Sequence, residues 1–230
     1  EMCIRDRLYS VIAHDLRSPM GSIKMVLNML MLNLPVEKIG GEMYELLTMA
    51  NRTTEDVFSL LDNLLKWTKS QIGNLNVVYQ DVDAVEVVDS VIDVFNMVAG
   101  LKKITIREEK PEKLPVCTDI DMLKTIIRNL LSNAIKFSNE NSEVLVKMEE
   151  QGDTVVVSVK DSGCGIDEEG QQKLLHTDTH FSTFGTNNEE GSGLGLLLCQ
   201  DFAVKIGGKL WFTSKEGEGS TFYFSIPLKK

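Results

Sequence analysis

Cysteine is scarce and scattered: the four in 230 residues, Cys3, Cys117, Cys164 and Cys199, form no CxxC pair. Metal-site and disulfide readings are both weak for such spacing, and free thiols in a reducing cytoplasm fit it better. Long apolar runs are missing as well. None approaches the roughly 18 residues that a membrane span needs. Lysine and arginine form no long run, and 34 acidic against 24 basic side chains leave a formal net charge of −10. That balance argues against a nucleic-acid or anionic-membrane surface as the main partner, although a local basic patch is compatible with it. No internal repeat and no low-complexity tract is present. The chain opens on Glu1 rather than methionine, and we expect a fragment of a longer protein; its opening EMCIRDR fits no interpretable pattern.

What is present is ordinary globular material, 43% hydrophobic and 25% charged, divided into two halves of different texture. Over residues 8–72 the pattern is helical. Leu16, Met20, Ile23, Leu27, Leu30 and Leu34 recur at spacings of four and three, and so do Met43, Leu46, Ala50, Thr53, Val57, Leu60, Leu64 and Trp67. Between them NLPVEKIGGE supplies Pro35, Gly40 and Gly41, which suit a helix-to-helix turn. One such antiparallel hairpin has little to bury itself against, so two copies forming a dimeric four-helix bundle is the economical expectation.

From residue 75 onward strands and helices alternate. VVYQDV and KITIREE read as strands flanking a helix from about Ala84 to Leu101, and DIDMLKTIIRNLLSNAIKFS reads as a second helix capped by Asp119. SEVLVKMEE and TVVVSVKD form a hairpin about Gly152 and Asp153. A polar stretch from about 167 to 192 follows, long enough to suggest a functional lid, and then a helix from Leu194. KLWFTSKEGEGSTFYFSIPL closes the chain as two strands about the EGEG turn. Domains are therefore expected at 1–74 and 75–230.

The stretch VIAHDLRSPMG places a histidine beside an acid inside the first helix. The apolar stripe passes through Ile12 and Leu16, so His14 lies about 200° from both, on the outward face. Ser18 lies one turn later on that face. Pro19 cannot donate to the carbonyl of Asp15, which loosens the helix beside the histidine. An outward imidazole with an adjacent acid can serve as a nucleophile. On these residues alone a solvated surface histidine is an equally good reading.

Four later stretches bear on that choice. In RNLLSNAIKF, Asn129, Asn133 and Lys136 share one face of a helix, where amide oxygens suit Mg²⁺ and a lysine suits phosphate. VKDSGCGI ends an apolar strand with Asp161, Gly163 and Gly165, a carboxylate that could accept a base amino group beside backbone able to approach a ligand closely. GSGLGLLLC puts Gly191, Gly193 and Gly195 at a helix start, where free N–H groups attract phosphate. GEGSTF places Thr221 near the start of the last strand. Each alone is matched by a plain alternative: a polar helix face, an ordinary turn. A dinucleotide-binding motif is not one of them, because no strand precedes the glycines.

In this order and spacing the stretches resemble a bacterial two-component sensor histidine kinase, from Leu8 to Lys230. HDLRSP is similar to the phosphoacceptor box, NLLSNAIKF to the N box, DSGCGI and GSGLGL to the two glycine boxes, and FSTF, Phe181 to Phe184, to the Phe-x-x-Phe box of the lid. The resemblance implies an α + α/β architecture: a dimeric four-helix bundle, then a two-layer α/β sandwich of the histidine-kinase, chaperone and topoisomerase ATPase type. It implies that ATP phosphorylates His14, with Asp15 orienting the ring and accepting its proton. By the same resemblance Asn129 and Asn133 hold Mg²⁺, Lys136 touches a phosphate, Phe137 and Leu194 belong to the nucleotide site, and Asp161, assisted by Thr221, reads the adenine amino group. Gly163, Gly165, Gly191, Gly193 and Gly195 complete the ATP site. The phosphoryl group then passes to an aspartate of a response-regulator receiver domain.

Relatives that hydrolyse ATP resemble one another in having a glutamate at the position of Asn129, where it activates water. An asparagine there cannot act as a base, which favours transfer to His14. Three departures from the family pattern stand out. Ser18 replaces a Thr or Asn, leaving phosphatase action open. The segment from Leu174 to Val204 contains no Lys or Arg. HTDTH, His176 to His180, invites a metal reading, but a solvated lid is the better one. The rival from another class is a degenerate nucleotide-binding scaffold that transfers no phosphate. The chain is expected to be the cytoplasmic portion of a membrane-anchored sensor, carrying an upstream sensor domain in the full protein and no nucleic-acid partner.

Overall fold

The computed structural model describes residues 2–33, 40–71, 76–174, 186 and 194–228, without the side chains of 2–15, 17, 18, 52, 55, 56, 59 and 69–71. It separates into two compact units, Glu1–Asn76 and Val77–Lys230. The first unit consists of helices α1 (Met2–Asn33) and α2 (Gly41–Gln71). Leu61 and Leu65 of α2 are buried, with Met20 of α1 and Leu64 packed against them. Gly21 sits 3.7 Å, by its would-be Cβ, from the Phe58 ring, and the Lys24 ammonium lies 5.6 Å from that ring's centroid. The buried seam of α2 runs through Thr54, Leu61, Leu65 and Thr68, displaced from the stripe read in the sequence. Of that stripe Leu16, Ile23 and Leu30, and Met43, Leu46, Val57 and Leu60, stay exposed in the single chain. A 3.5-residue periodicity reports that a helix has an apolar side without saying which of two adjacent seams meets its own chain. Of the expected turn NLPVEKIGGE, residues 34–39 lie outside the described residues, and Gly40, at φ +79°, leads into α2 at Gly41.

The second unit is a mixed sheet backed by helices. Its elements are β1 (Gln80–Asp83), α3 (Ala84–Leu101), β2 (Thr105–Glu109), β3 (Pro115–Thr118), α4 (Ile120–Phe137), β4 (Glu143–Gln151), β5 (Thr154–Lys160), α5 (Glu168–Lys173), α6 (Leu194–Lys205), β6 (Leu210–Lys215) and β7 (Gly219–Pro227). Five strands form one sheet in the order β2-β4-β5-β7-β6, and β1 pairs antiparallel with β3 in a separate ribbon. Only β2 and β4 are parallel within the sheet. Strand alternation sends Val144, Val146 and Met148, Val155, Val157 and Val159, and Phe222, Phe224 and Ile226 to the buried face. There they meet the core stripes of α3 (Val88, Ile92), α4 (Leu123, Ile126, Ile127, Leu130) and α6 (Leu198, Phe202). The other face carries the stacked Trp211 and Tyr223, with Thr213 alongside.

Asp119 caps α4 as expected, its Oδ1 accepting from Asp121 N and Met122 N at 3.0 Å each, while its Oδ2 accepts from Val78 N at 2.8 Å. That last bond explains why the first strand starts only at Gln80: the backbone at Val78 is tied to the cap instead of a ladder. Two elements went unread in the sequence. β3 is a four-residue strand, too short to show alternation. α5 occupies part of the polar stretch taken for a lid, and Asp167 nucleates it by accepting from Gly170 N at 2.8 Å.

Candidate nucleotide-binding site

Helix α4 is the axis of the site. Asn129, Asn133 and Lys136 follow one another along it, all half-buried. Asn129 is held on several sides: its Nδ2 donates to Thr125 O at 2.9 Å, and its Oδ1 would be 2.8 Å from a Cβ on Gly195. Gly195 therefore admits the first turn of α6 against α4. The thiol of Cys199, one turn farther along α6, is fully buried; burial pushes its pKa up, a hydrogen bond with Asn129 partly offsetting that. The Lys136 ammonium lies 5.0 Å from the centroid of the Phe137 ring.

The far end of α4 meets the turn after β5. Ser138 bridges to Gly163, and a Cβ on Gly163 would stand 2.1 Å from Phe137 O. Gly165, at φ +66°, would place a Cβ 2.0 Å from Lys215 O. These glycines are thus required by backbone crossings inside the protein. Their bareness therefore has a structural cause of its own, separate from the close approach to a ligand expected of them.

Asp161 sits in that turn with 4% of its surface exposed. Its Oδ1 accepts from Gly163 N at 2.9 Å and from Ser220 N at 3.2 Å, and its own N donates to Ser220 O at 2.9 Å. Burial raises the carboxyl pKa above the ordinary aspartate value, and the Gly163 and Ser220 amides pull it partly back. Both amide bonds fall on one oxygen, which keeps Oδ2 out of them.

The structure moves the expected role of Thr221. Thr221 pairs with Lys160 and Thr213, on the sheet face opposite to Asp161. Ser220 is the residue beside Asp161, and its hydroxyl pairs with Ser214 Oγ at 2.8 Å. Ser214 Oγ accepts in turn from Ile166 N at 2.9 Å. The signal was present in STFYFSI: counting back by two from Ile226, Phe224 and Phe222, all buried, arrives at Ser220 and not at Thr221.

The glycines at 191 and 193, the FSTF box and HTDTH lie outside the described residues, and Leu194 begins α6 in a buried position. His14, Asp15 and Ser18 lie within α1, which continues through Pro19; their side chains are outside the description. Among the described residues no cluster of three or more His, Cys, Asp or Glu could hold a metal, and no helix is long and apolar enough to cross a membrane. The half-buried Asn133 offers an amide oxygen of the kind that suits an Mg²⁺ ion beside ligand phosphates.

Residues 118–230 match the family model described as histidine kinase-, DNA gyrase B-, and HSP90-like ATPase. The catalytic domain of histidine kinase ThkA is 31% identical, matching 65% of this chain and 95% of its own, with a TM-score of 0.57. The chain belongs to the histidine kinase family. Residues 118–230 are thus its ATP-binding domain, and its family is one of two-component signalling. The adaptive-response sensory kinase SasA of Crocosphaera subtropica is 28% identical over 99% of the chain and 60% of its own length. The chain spans about 60% of the length of such curated relatives. Full-length ShkA in complex with AMPPNP shares the fold across 96% of the chain and 45% of its own, with a TM-score of 0.73 at 21% identity.

Proposed function

We propose that this chain is the catalytic core of a histidine autokinase, which transfers the ATP γ-phosphoryl group to His14 and then to an aspartate of a response-regulator receiver domain. One observation carries the reading most. The two glycine-containing turns, separate in sequence, both close on α4: Gly195 against Asn129 and Gly163 against Phe137, with Asp161 buried beside the second. Asn133 and Lys136 lie on the helix between those closures. Such a frame offers a buried carboxylate to a purine amino group at one end and amide and ammonium groups to phosphates along the helix.

In this reading Asp161 accepts from the adenine amino group. Lys136 neutralises phosphate charge, and Asn133 and Asn129 hold Mg²⁺, which when bound spreads the charge of the transferring group. A His14 ring nitrogen forms the bond to γ-phosphorus as the bond to the bridging oxygen breaks, and ADP leaves. Asp15 takes the proton from the other ring nitrogen. The amide of Asn129 has no basic lone pair for activating water, which supports transfer over hydrolysis. The exposed stripes on α1 and α2 support a homodimer, since a second copy would cover them. In the full protein we place this core on the cytoplasmic side, below a membrane-anchored sensor.

Incubation with γ-labelled ATP and Mg²⁺ tests the proposal. The label should be acid-labile and alkali-stable and should be absent from His14→Ala. Label retained in that variant removes His14 from its role. Tight ATP binding without label supports the scaffold instead, and rapid release of free phosphate an ATPase.

A further inference from the structure

Lys102, the C-cap residue of α3, is 8% exposed. Lysines are seldom buried without specific partners. This one donates from Nζ to Ile135 O at 3.1 Å, to Lys136 O at 2.8 Å and to Thr186 Oγ1 at 2.6 Å. The first two acceptors belong to the last turn of α4, whose carbonyls have no partner within the helix and carry its negative dipole end. Thr186 is bound to the same turn from its own side. Its N donates to Lys136 O at 3.3 Å, and its Oγ1 lies 3.1 Å from Lys136 O and 2.8 Å from Ser138 O.

We propose that Lys102 is a positioning residue for the nucleotide site, closing the end of the helix that carries Asn133, Lys136 and Phe137 and fastening Thr186 to it. The inference rests on the nucleotide reading of α4 and goes beyond it, because no phosphate, base or metal need touch Lys102. Without the ammonium, two carbonyls at the helix end lose a charged donor. The same turn presents Phe137 O to Gly163 at a separation that tolerates no Cβ. A shift there moves Lys136 and the Asp161 turn together, so phosphate and base contacts weaken at once.

The test compares Lys102→Met, which keeps the stem and removes the charge, with Lys102→Arg, Thr186→Val and Thr186→Ser. Amide exchange at Thr186 and Ser138 is followed without nucleotide, ATP·Mg²⁺ affinity by calorimetry, and thermal midpoint separately. Lys102→Met and Thr186→Val should speed exchange at Thr186 and weaken ATP binding about tenfold, the scale of one charge-assisted hydrogen bond. Thr186→Ser and, more weakly, Lys102→Arg should preserve both. Wild-type ATP affinity in Thr186→Val and Lys102→Met, with only a lowered midpoint, would reduce Lys102 to a packing residue and overturn the inference. If Lys102→Met does not fold, Thr186→Val decides. Should the wild type bind no ATP, the nucleotide reading fails, while the exchange data still decide whether the Lys102–Thr186 link holds the helix end.

Discussion

Asp161 and Ser220 are joined twice where the turn after β5 meets β7, Asp161 Oδ1 accepting from Ser220 N at 3.2 Å and Asp161 N donating to Ser220 O at 2.9 Å. The carboxylate is thereby locked to the backbone of the neighbouring strand rather than to a mobile side chain. Only one of its oxygens takes part. Ser220 is itself steadied through its hydroxyl contact with Ser214. Replacing Ser220 by Ala keeps those backbone bonds but removes the part-buried hydroxyl contact with Ser214, and should weaken ATP binding about three- to tenfold. Thr221→Ala, on the other face of the sheet, should leave it unchanged. Equal effects of the two substitutions in a nucleotide titration would contradict this placement.

The raised pKa of Asp161 has two consequences of opposite sign. A carboxyl whose folded pKa lies above its unfolded value makes the native state bind more protons between the two. Stability is then fully present below the unfolded aspartate pKa, near 4, and declines as pH rises through the folded value. Asp161→Asn should remove that part of the decline, seen in chemical denaturation at several pH values. On the proposed role of Asp161, ATP binding runs the other way, since an adenine amino group would donate best to the ionised form. Affinity should fall as pH drops below the raised value, at a higher pH than an ordinary aspartate would require. An affinity unchanged from neutral pH down to about 4 would rule out Asp161 as the base reader.

Glycine positions should rank by what their missing Cβ would strike. Gly163→Ala meets Phe137 O at 2.1 Å, a backbone atom that cannot swing aside. A loss of about 3 kcal/mol or more is expected, at the severe end for point mutations. Gly195→Ala meets the side-chain oxygen of Asn129 at 2.8 Å and should cost less, with a larger share of the effect falling on nucleotide binding. Gly100→Ala, in α3 with nothing within 4 Å, should stabilise by roughly 0.5–1 kcal/mol. Thermal denaturation of the three variants checks the order.

The exposed stripe on the first unit predicts the assembly. Leu46→Glu and Leu60→Glu place charge on residues that are exposed in the single chain. Both should convert a dimer to monomer in sedimentation velocity while leaving ATP affinity of the second unit as it was. A wild-type chain that sediments as a monomer at micromolar concentration would remove the dimer from the proposal.

Much of the second unit was legible because its elements are locally self-announcing. Asp119 before an apolar-striped run names a helix start, and the alternation of SEVLVKMEE and TVVVSVKD about Gly152 names a hairpin. The helix from Ala84 to Leu101 appears at the residues expected. Short elements escaped: β3 offers four residues, and α5 looks polar because its six residues bury only Gly170. Lys102 escaped for another reason. A lysine near a helix end reads as solvent-exposed, and nothing local shows that its acceptors arrive from residues 33 and more positions away.

By itself the sequence determined which residue types could serve a nucleotide: the asparagines and lysine on one face of α4, an aspartate ending an apolar strand, glycines at a helix start. These follow from periodicity and turn chemistry, which act over a few residues. Tertiary structure decided which of them meet. It showed that Gly163 and Gly165 are bare to let backbones cross, that Ser220 rather than Thr221 stands beside Asp161, and that Lys102 reaches the end of α4. Each of those outcomes depends on strand register and on helix-to-helix approach at the scale of a single methyl group, distances that close packing sets and no local pattern carries.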